Sequence, residues 1–175
     1  TVGLQGGGSI YSPEVYQHYL NSAFAPDGTL KPAYMARLAR ILDAADAAGM
    51  VVIVNYFYVQ QMRHIPDDAV VPRVIAAVSE WLLRSGHRNI LVDLVNESAS
   101  WWKRPIFEPE NVHRLLDIAK QTTVDGRRLL VGVSTSGGTD TSTDAWMEAE
   151  DFSMPHGNGL TPEGLTAKLR QTRDR

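Results

Sequence analysis

Between residues 32 and 49 the apolar positions Tyr34, Leu38, Ile41, Leu42, Ala45 and Ala48 recur at helical spacing, with Pro32 opening the run and Gly49 closing it. The spacing predicts a helix over Pro32–Gly49. The pattern then changes to an unbroken β-branched and aromatic run, Val51–Tyr58, too apolar for a strand with one wet face and suited to a parallel sheet covered on both sides. The same unit recurs. Asp67–Ser85 carries Val70, Val71, Val74, Ile75, Val78, Trp81 and Leu82 on one helical face, Gly86 ends it, and Asn89–Val95 reads as the next strand. Asn111–Val124 is a third helix, Gly126 follows, and Arg128–Val133 is a third strand. Asp151–Met154 reads as a short fourth strand and Thr161–Arg173 as a polar terminal helix opened by Pro162. This alternation predicts an α/β fold with a parallel sheet. Loops entering the strands are short and glycine-bearing, whereas those leaving them are longer and hold the polar and aromatic residues, at the carboxyl ends where parallel α/β sheets bind ligands.

At 175 residues the chain has the size of one domain, 1–175. Net charge of −3 offers no footprint for a polyanion, so no nucleic-acid partner is expected. The absence of cysteine excludes disulfides, zinc-thiolate sites, iron–sulfur clusters and thiol nucleophiles. The strongest apolar stretch, Met50–Tyr58, is about half of what a bilayer span requires, so no membrane partner is expected either. The first residue is Thr1, with no leader in view, which decides nothing about secretion.

The most informative segment is Asn89–Ser98, NILVDLVNES. Period-two alternation groups Asp93, Val95 and Glu97 on one face, and Asn96-Glu97 falls where the strand yields to its loop. A carboxylate there is a candidate general acid or base; the plainer alternatives are a cap on the next turn or a pair with Arg104. Tyr56 and Tyr58 at the previous strand end, and Trp101 and Trp102 in the following loop, are flat surfaces of the kind on which sugar rings stack. Phe57 stands between the two tyrosines, so at least one of the three belongs to the core. Other chemistry has less support. His64 and His156 lack HxH or HExxH spacing, so no metal is expected, and no cofactor is implied. Gly6-Gly7-Gly8 lacks the ending of a phosphate cradle, and the Ser134–Gly138 loop has no GxSxG elbow.

With Asn96-Glu97 closing a strand rich in Val, Leu and Asp, and with His156 after the last short strand, the chain resembles the TIM-barrel glycoside hydrolases, cellulase-like members above all. The resemblance aligns Val51–Tyr58, Asn89–Glu97, the strand opening at Leu129 and Asp151–Asn158 with barrel strands three to six, and puts Gln5–Ser9 after strand two. It implies a partial (β/α) barrel of about four to five β/α units acting on a β-linked glucan or related oligosaccharide. Glu97 would then protonate the departing glycosidic oxygen, Asn96 would bond the hydroxyl beside the reacting carbon, and His156 and Asn158 would line the sugar site. A secreted or periplasmic location is expected if the substrate is a polysaccharide.

The family's second carboxylate sits on barrel strand seven, which 175 residues do not reach, since a full barrel typically takes about 250. Three possibilities stay open: a partial barrel with a substitute carboxylate, two copies covering each other's open sheets, or a non-catalytic carbohydrate-binding or assembly module. The open sheet leads to the expectation of a homodimer or higher oligomer. Among substitutes, Asp93 lies about 13 Å down the strand from Glu97 at strand rise and reads as a buried structural acid. Asp151, two strands across, is the candidate base for an inverting attack by water, with Asp140, Asp144, Glu148 and Glu150 as unranked loop acids.

Overall fold

The computed structural model describes residues 1–6, 21–99 and 102–175. Its elements in chain order are β1 (Val2–Gly3), α1 (Pro32–Ala47), β2 (Val52–Phe57), a 3-10 turn (Val59–His64), α2 (Val70–Arg84) and β3 (Ile90–Val95). A second 3-10 turn (Pro105–Phe107), α3 (His113–Gln121), β4 (Leu130–Gly132), β5 (Ser134–Thr135), α4 (Asp144–Ala149), β6 (Met154–Pro155) and α5 (Pro162–Arg173) follow. The strands β1-β2-β3-β4 form one parallel sheet in sequential order, and β5 pairs with β6, also parallel. A parallel bridge between Ser98 and Thr135 carries the end of the β3 segment across to β5.

Sequential order with right-handed crossovers winds every helix onto the same face, unlike a doubly wound sheet that reverses at a switch point. The contacts agree with that winding: α2 packs on α3, α3 packs on α4, and the Tyr56 hydroxyl reaches across to Ser79 of α2 at 3.0 Å. Tyr56 therefore marks the helix face, and by alternation Val52, Val54, Ile90, Val92 and Leu94 share it, all buried. Ile53, Asn55, Leu91 and Asp93 fall on the opposite, inner face, where the register sets Ile53 beside Leu91 and Leu91 beside Leu130. Leu130 is half exposed there. The architecture is that of an open, singly wound β/α sheet, consistent with part of a barrel.

Helices α1, α2, α3 and α5 match their sequence signals, whereas α4 falls in a stretch expected to be loop. Val70, Val74, Val78 and Leu82 supply the buried stripe of α2, and Gly49, Gly86 and Gly126 hold the left-handed conformations at the turns after the helices. The strand expected over Arg128–Val133 is shortened to β4, Leu130–Gly132, and β5 follows it beyond Val133. At Gly132 a Cβ would stand 2.4 Å from the Phe152 carbonyl oxygen, so the chain after α4 lies hard against β4 here, with the Asp151 N–H donating to the Val131 carbonyl at 2.8 Å. Of the strand expected over Asp151–Met154 only Met154 is paired, as the first residue of β6, Met154–Pro155.

Candidate functional site

Beyond Val95 the chain makes a small excursion before rejoining the ladder. The Asn96 N–H donates to the Phe57 carbonyl on the β2 side (3.0 Å), and the Ser98 N–H donates to the Ser134 carbonyl on the β5 side (2.9 Å). Between them Glu97 adopts φ +57°, the left-handed region that costs a residue with a Cβ roughly 1–2 kcal/mol. Both of its main-chain groups are held by side chains: its N–H donates to Ser134 Oγ (2.9 Å), and its carbonyl accepts from Trp102 Nε1 (2.9 Å). Left-handed backbone at a non-glycine residue persists only where the surroundings over-determine it, and functional sites are enriched in such positions.

The carboxylate is directed toward the chain after β6. Glu97 Oε1 accepts from Asn158 Nδ2 at 2.7 Å and lies 2.9 Å from His156 Nδ1. With Glu97 ionised, Oε1 can only accept, and the imidazole nitrogen facing it is then the protonated one. Oε1 thus receives two donors, while Oε2 has no hydrogen-bond partner among the described residues. Tyr58, Asn96, Glu97, Pro155, His156, Gly157 and Asn158 together line an open hollow of about 450 Å³ at the carboxyl ends of the strands. Five residues that the sequence singles out, Tyr58, Asn96, Glu97, His156 and Asn158, therefore meet in one place.

The post-strand loops are held from behind by α5. Lys168, only 4% exposed, donates from Nζ to the carbonyls of Ser136 (2.8 Å), His156 (2.9 Å) and Gly138 (3.1 Å). Burial lowers its pKa, while the negative charges of Asp140 and Glu97 oppose that shift. Close approach of the two loops depends on Gly137, where a Cβ would lie 2.7 Å from the Asn158 carbonyl oxygen.

Below Glu97 the inner face carries a buried polar row. Asn55 Nδ2 donates to Asp93 Oδ2 (3.0 Å), the Ser134 N–H donates to Asp93 Oδ1 (3.0 Å), and Ser134 Oγ lies 3.1 Å from Oδ2. Burial is the largest influence on Asp93 and pushes its pKa up to about 6, against the bonds from Ser134 and Asn55 that favour its charge. Asp93 is thus the buried acid its strand position suggests, and the sequence gives no comparable signal for Ser134 or Lys168.

Four expectations need correction or fall elsewhere. Tyr56 is not a sugar platform: its ring is fully buried on the helix face, its hydroxyl is bonded to Ser79, and burial pushes its pKa far up. Trp102 is 5% exposed, with its ring 4.7 Å from that of Phe107 and its indole N–H on the Glu97 carbonyl, so it supports the turn and does not present an open face. Asp151 does not stand opposite Glu97. Arg128 binds it through two nitrogens (2.6 and 2.9 Å), Lys120 lies 3.7 Å away, and it accepts from the Val131 N–H. These bonds, the backbone bond and the two cations, outweigh its burial and keep its pKa below the usual carboxylate value. Val131 is level with Val92 in the sheet, and Ser134, whose Oγ meets the Glu97 N–H, comes three residues further on, which sets the Asp151 main chain roughly 10 Å below that of Glu97 along the strand direction at about 3.3 Å per residue. Carboxylates in glycosidases are separated by at most about 9.5 Å. Trp101 lies outside the described residues, as do Gly7, Gly8 and Ser9 of the opening glycine segment.

Of the four acids expected in a loop, Asp144 and Glu148 lie instead on the helix α4, and none reaches the hollow. Asp140 accepts from Ser136 Oγ, Asp144 pairs with Arg175, and Glu150 accepts from Trp146 Nε1 (2.8 Å) and Ser153 Oγ. Neither these three nor Glu148 lines the hollow. Arg104, the alternative partner for Glu97, is instead bonded to Asp68 and to the carbonyls of Met62 (3.0 Å) and Ile65 (2.9 Å). No cluster of three or more His, Asp or Glu side chains suited to a metal occurs among the described residues. The chain matches no protein-family profile, no curated protein and no solved structure.

Proposed function

We propose that the protein is a glycoside hydrolase acting on a β-linked glucan or related oligosaccharide, with Glu97 as its acid/base. The observation that carries this reading is the arrangement of Glu97 itself: a carboxylate on a left-handed turn at the carboxyl end of a parallel strand, with Oε1 fixed by His156 and Asn158 and Oε2 left to the hollow. Cleavage of a glycosidic bond needs a proton delivered to the departing oxygen as positive charge develops on the sugar ring. In this reading Oε2 delivers that proton, His156 and Asn158 stabilise the carboxylate left behind, and Asn96 and Tyr58 are within the same hollow to bond hydroxyls and cover a ring face.

A second reading, a non-catalytic carbohydrate-binding module, draws support from a specific feature: Glu97 is the one carboxylate among the described residues that line the hollow. The two readings separate in one experiment. Release of reducing sugar from a panel of β-linked glucans is measured for wild type and Glu97→Gln, with calorimetric binding of the same oligosaccharides in parallel. Hydrolysis requires a loss of at least about 100-fold in Glu97→Gln, the usual contribution of a positioned general acid. Equal rates in both proteins would remove Glu97 from the chemistry, and binding without turnover in wild type would favour the module.

A further inference from the structure

We propose that Asp93 and Ser134 are positioning residues for Glu97, with the Ser134 hydroxyl acting as a clamp on the Glu97 main chain and Asp93 fixing that hydroxyl from below. The inference rests on the hydrolase reading for its catalytic consequence, but the clamp is a statement about this fold alone. Ser134 Oγ has one proton to give. It accepts the Glu97 N–H at 2.9 Å, and the acceptors for its own proton are Asp93 Oδ2 at 3.1 Å and the Val95 carbonyl at 3.3 Å. Asp93 also accepts the Ser134 N–H at 3.0 Å, so one carboxylate grips both the main chain and the side chain of the residue that holds Glu97. Asn55 Nδ2 takes up the remaining capacity of Oδ2.

All three groups are buried: Ser134 is fully inaccessible, Asp93 is 4% exposed and Asn55 is 5% exposed. A carboxylate in that position is a poor choice for stability alone, because apolar residues of similar size fill such a layer without a desolvation cost. What the polar row supplies is direction. A fully satisfied buried network has one arrangement, and here that arrangement ends on the amide of a residue whose φ is unfavourable for its own side chain. Removing the clamp frees Glu97 to relax toward negative φ, which turns the carboxylate away from His156 and Asn158.

The test uses the whole chain with Ser134→Ala, a small change that leaves the strand pairing intact, and Asp93→Asn as a second variant. Two readouts are taken: kcat and KM on whichever glucan wild type cleaves, and hydrogen exchange of the Glu97 amide relative to those of Val95 and Asn96. The expected result is a fall in kcat of about 10- to 100-fold in Ser134→Ala with KM within about twofold, together with at least about tenfold faster exchange at Glu97 and little change at its neighbours. Asp93→Asn is expected to lower kcat less, because an amide oxygen still accepts one of the two bonds from Ser134. If Glu97→Gln is inactive while Ser134→Ala keeps wild-type kcat and slow exchange at Glu97, the clamp is overturned and the hydrolase reading stands. If Glu97→Gln is as active as wild type, or nothing is cleaved, the hydrolase reading falls. The exchange rate at Glu97 in Ser134→Ala then decides the clamp by itself: acceleration upholds it and an unchanged rate overturns it.

Discussion

Glu97 concentrates two opposed requirements in one residue. Its side chain is anchored by His156 and Asn158, whereas its backbone occupies a region that glycine enters without cost. Truncation to Gly and to Ala removes the same two side-chain bonds, so the difference between the variants isolates the backbone. Glu97→Gly is expected to be more stable than Glu97→Ala by about 1 kcal/mol, because Ala retains the Cβ that disfavours positive φ. Urea unfolding with a common m-value measures it. An alanine variant equal to or more stable than the glycine variant would show that the turn is not strained. The position of Glu97 at a strand end is legible in the alternation of Asn89–Ser98, and so is its candidacy as an acid. Its φ is not, because the excursion is created by bonds to Phe57 and Ser134, residues on strands 40 and 37 positions away in the chain.

At the scale of the sheet, the row Asn55–Asp93–Ser134 ties β2, β3 and β5 together on the inner face and makes their pairing sensitive to pH. Burial raises Asp93 from its ordinary value of 3.8 to about 6 in the folded chain, with the bonds from Ser134 and Asn55 acting in the other direction. Between these two pH values the folded protein holds a proton that the unfolded chain releases. Stability therefore falls as pH rises through this window, and the reduction is complete above it, amounting to roughly 3 kcal/mol at 1.36 kcal/mol per pKa unit. Glu150, also raised by burial, contributes in the same sense but is present in both proteins of the comparison. The prediction is that the stability difference between Asp93→Asn and wild type changes by an amount of this order between pH 4 and pH 7, in favour of the variant as pH rises. Parallel profiles from chemical denaturation would show that Asp93 does not titrate there. The regular elements around this row follow from hydrophobic periodicity and from glycines at helix ends, which are local signals. The break between β4 and β5 does not, and neither does the close approach of Phe152 to Gly132, a contact between segments that no local pattern relates. For the same reason the parity of Val51–Tyr58 limits how many of its aromatics can face a ligand without saying which; the Ser79 hydroxyl on α2 assigns Tyr56 to the core.

At the scale of the whole molecule, the hollow is assembled from segments far apart in the chain, and the last helix braces the one that carries His156. Tyr58 comes from the end of β2, Asn96 and Glu97 from the end of β3, and His156 and Asn158 from beyond β6. From the terminal helix α5, which reads from sequence as merely polar, Lys168 inserts one ammonium group between the chain after β5 and the chain after β6. Its three protons match its three carbonyl acceptors. Methionine has nearly the same length and flexibility but no donor, so Lys168→Met would leave those carbonyls facing an apolar side chain. Bonds to a charged donor contribute about 1.5–3 kcal/mol each and are not additive within one cluster, which places the expected loss at about 3 kcal/mol. The effect reaches the site because one acceptor is the carbonyl of His156, whose ring holds Glu97. Lys168→Met should therefore lower the urea midpoint and also weaken binding of whichever oligosaccharide wild type binds, whereas Lys168→Arg, which keeps the charge and the donors, should recover part of both. A methionine variant that unfolds at the wild-type midpoint would mean that α5 is not what closes the hollow, and its binding curve would then show whether the His156 loop keeps its place without it.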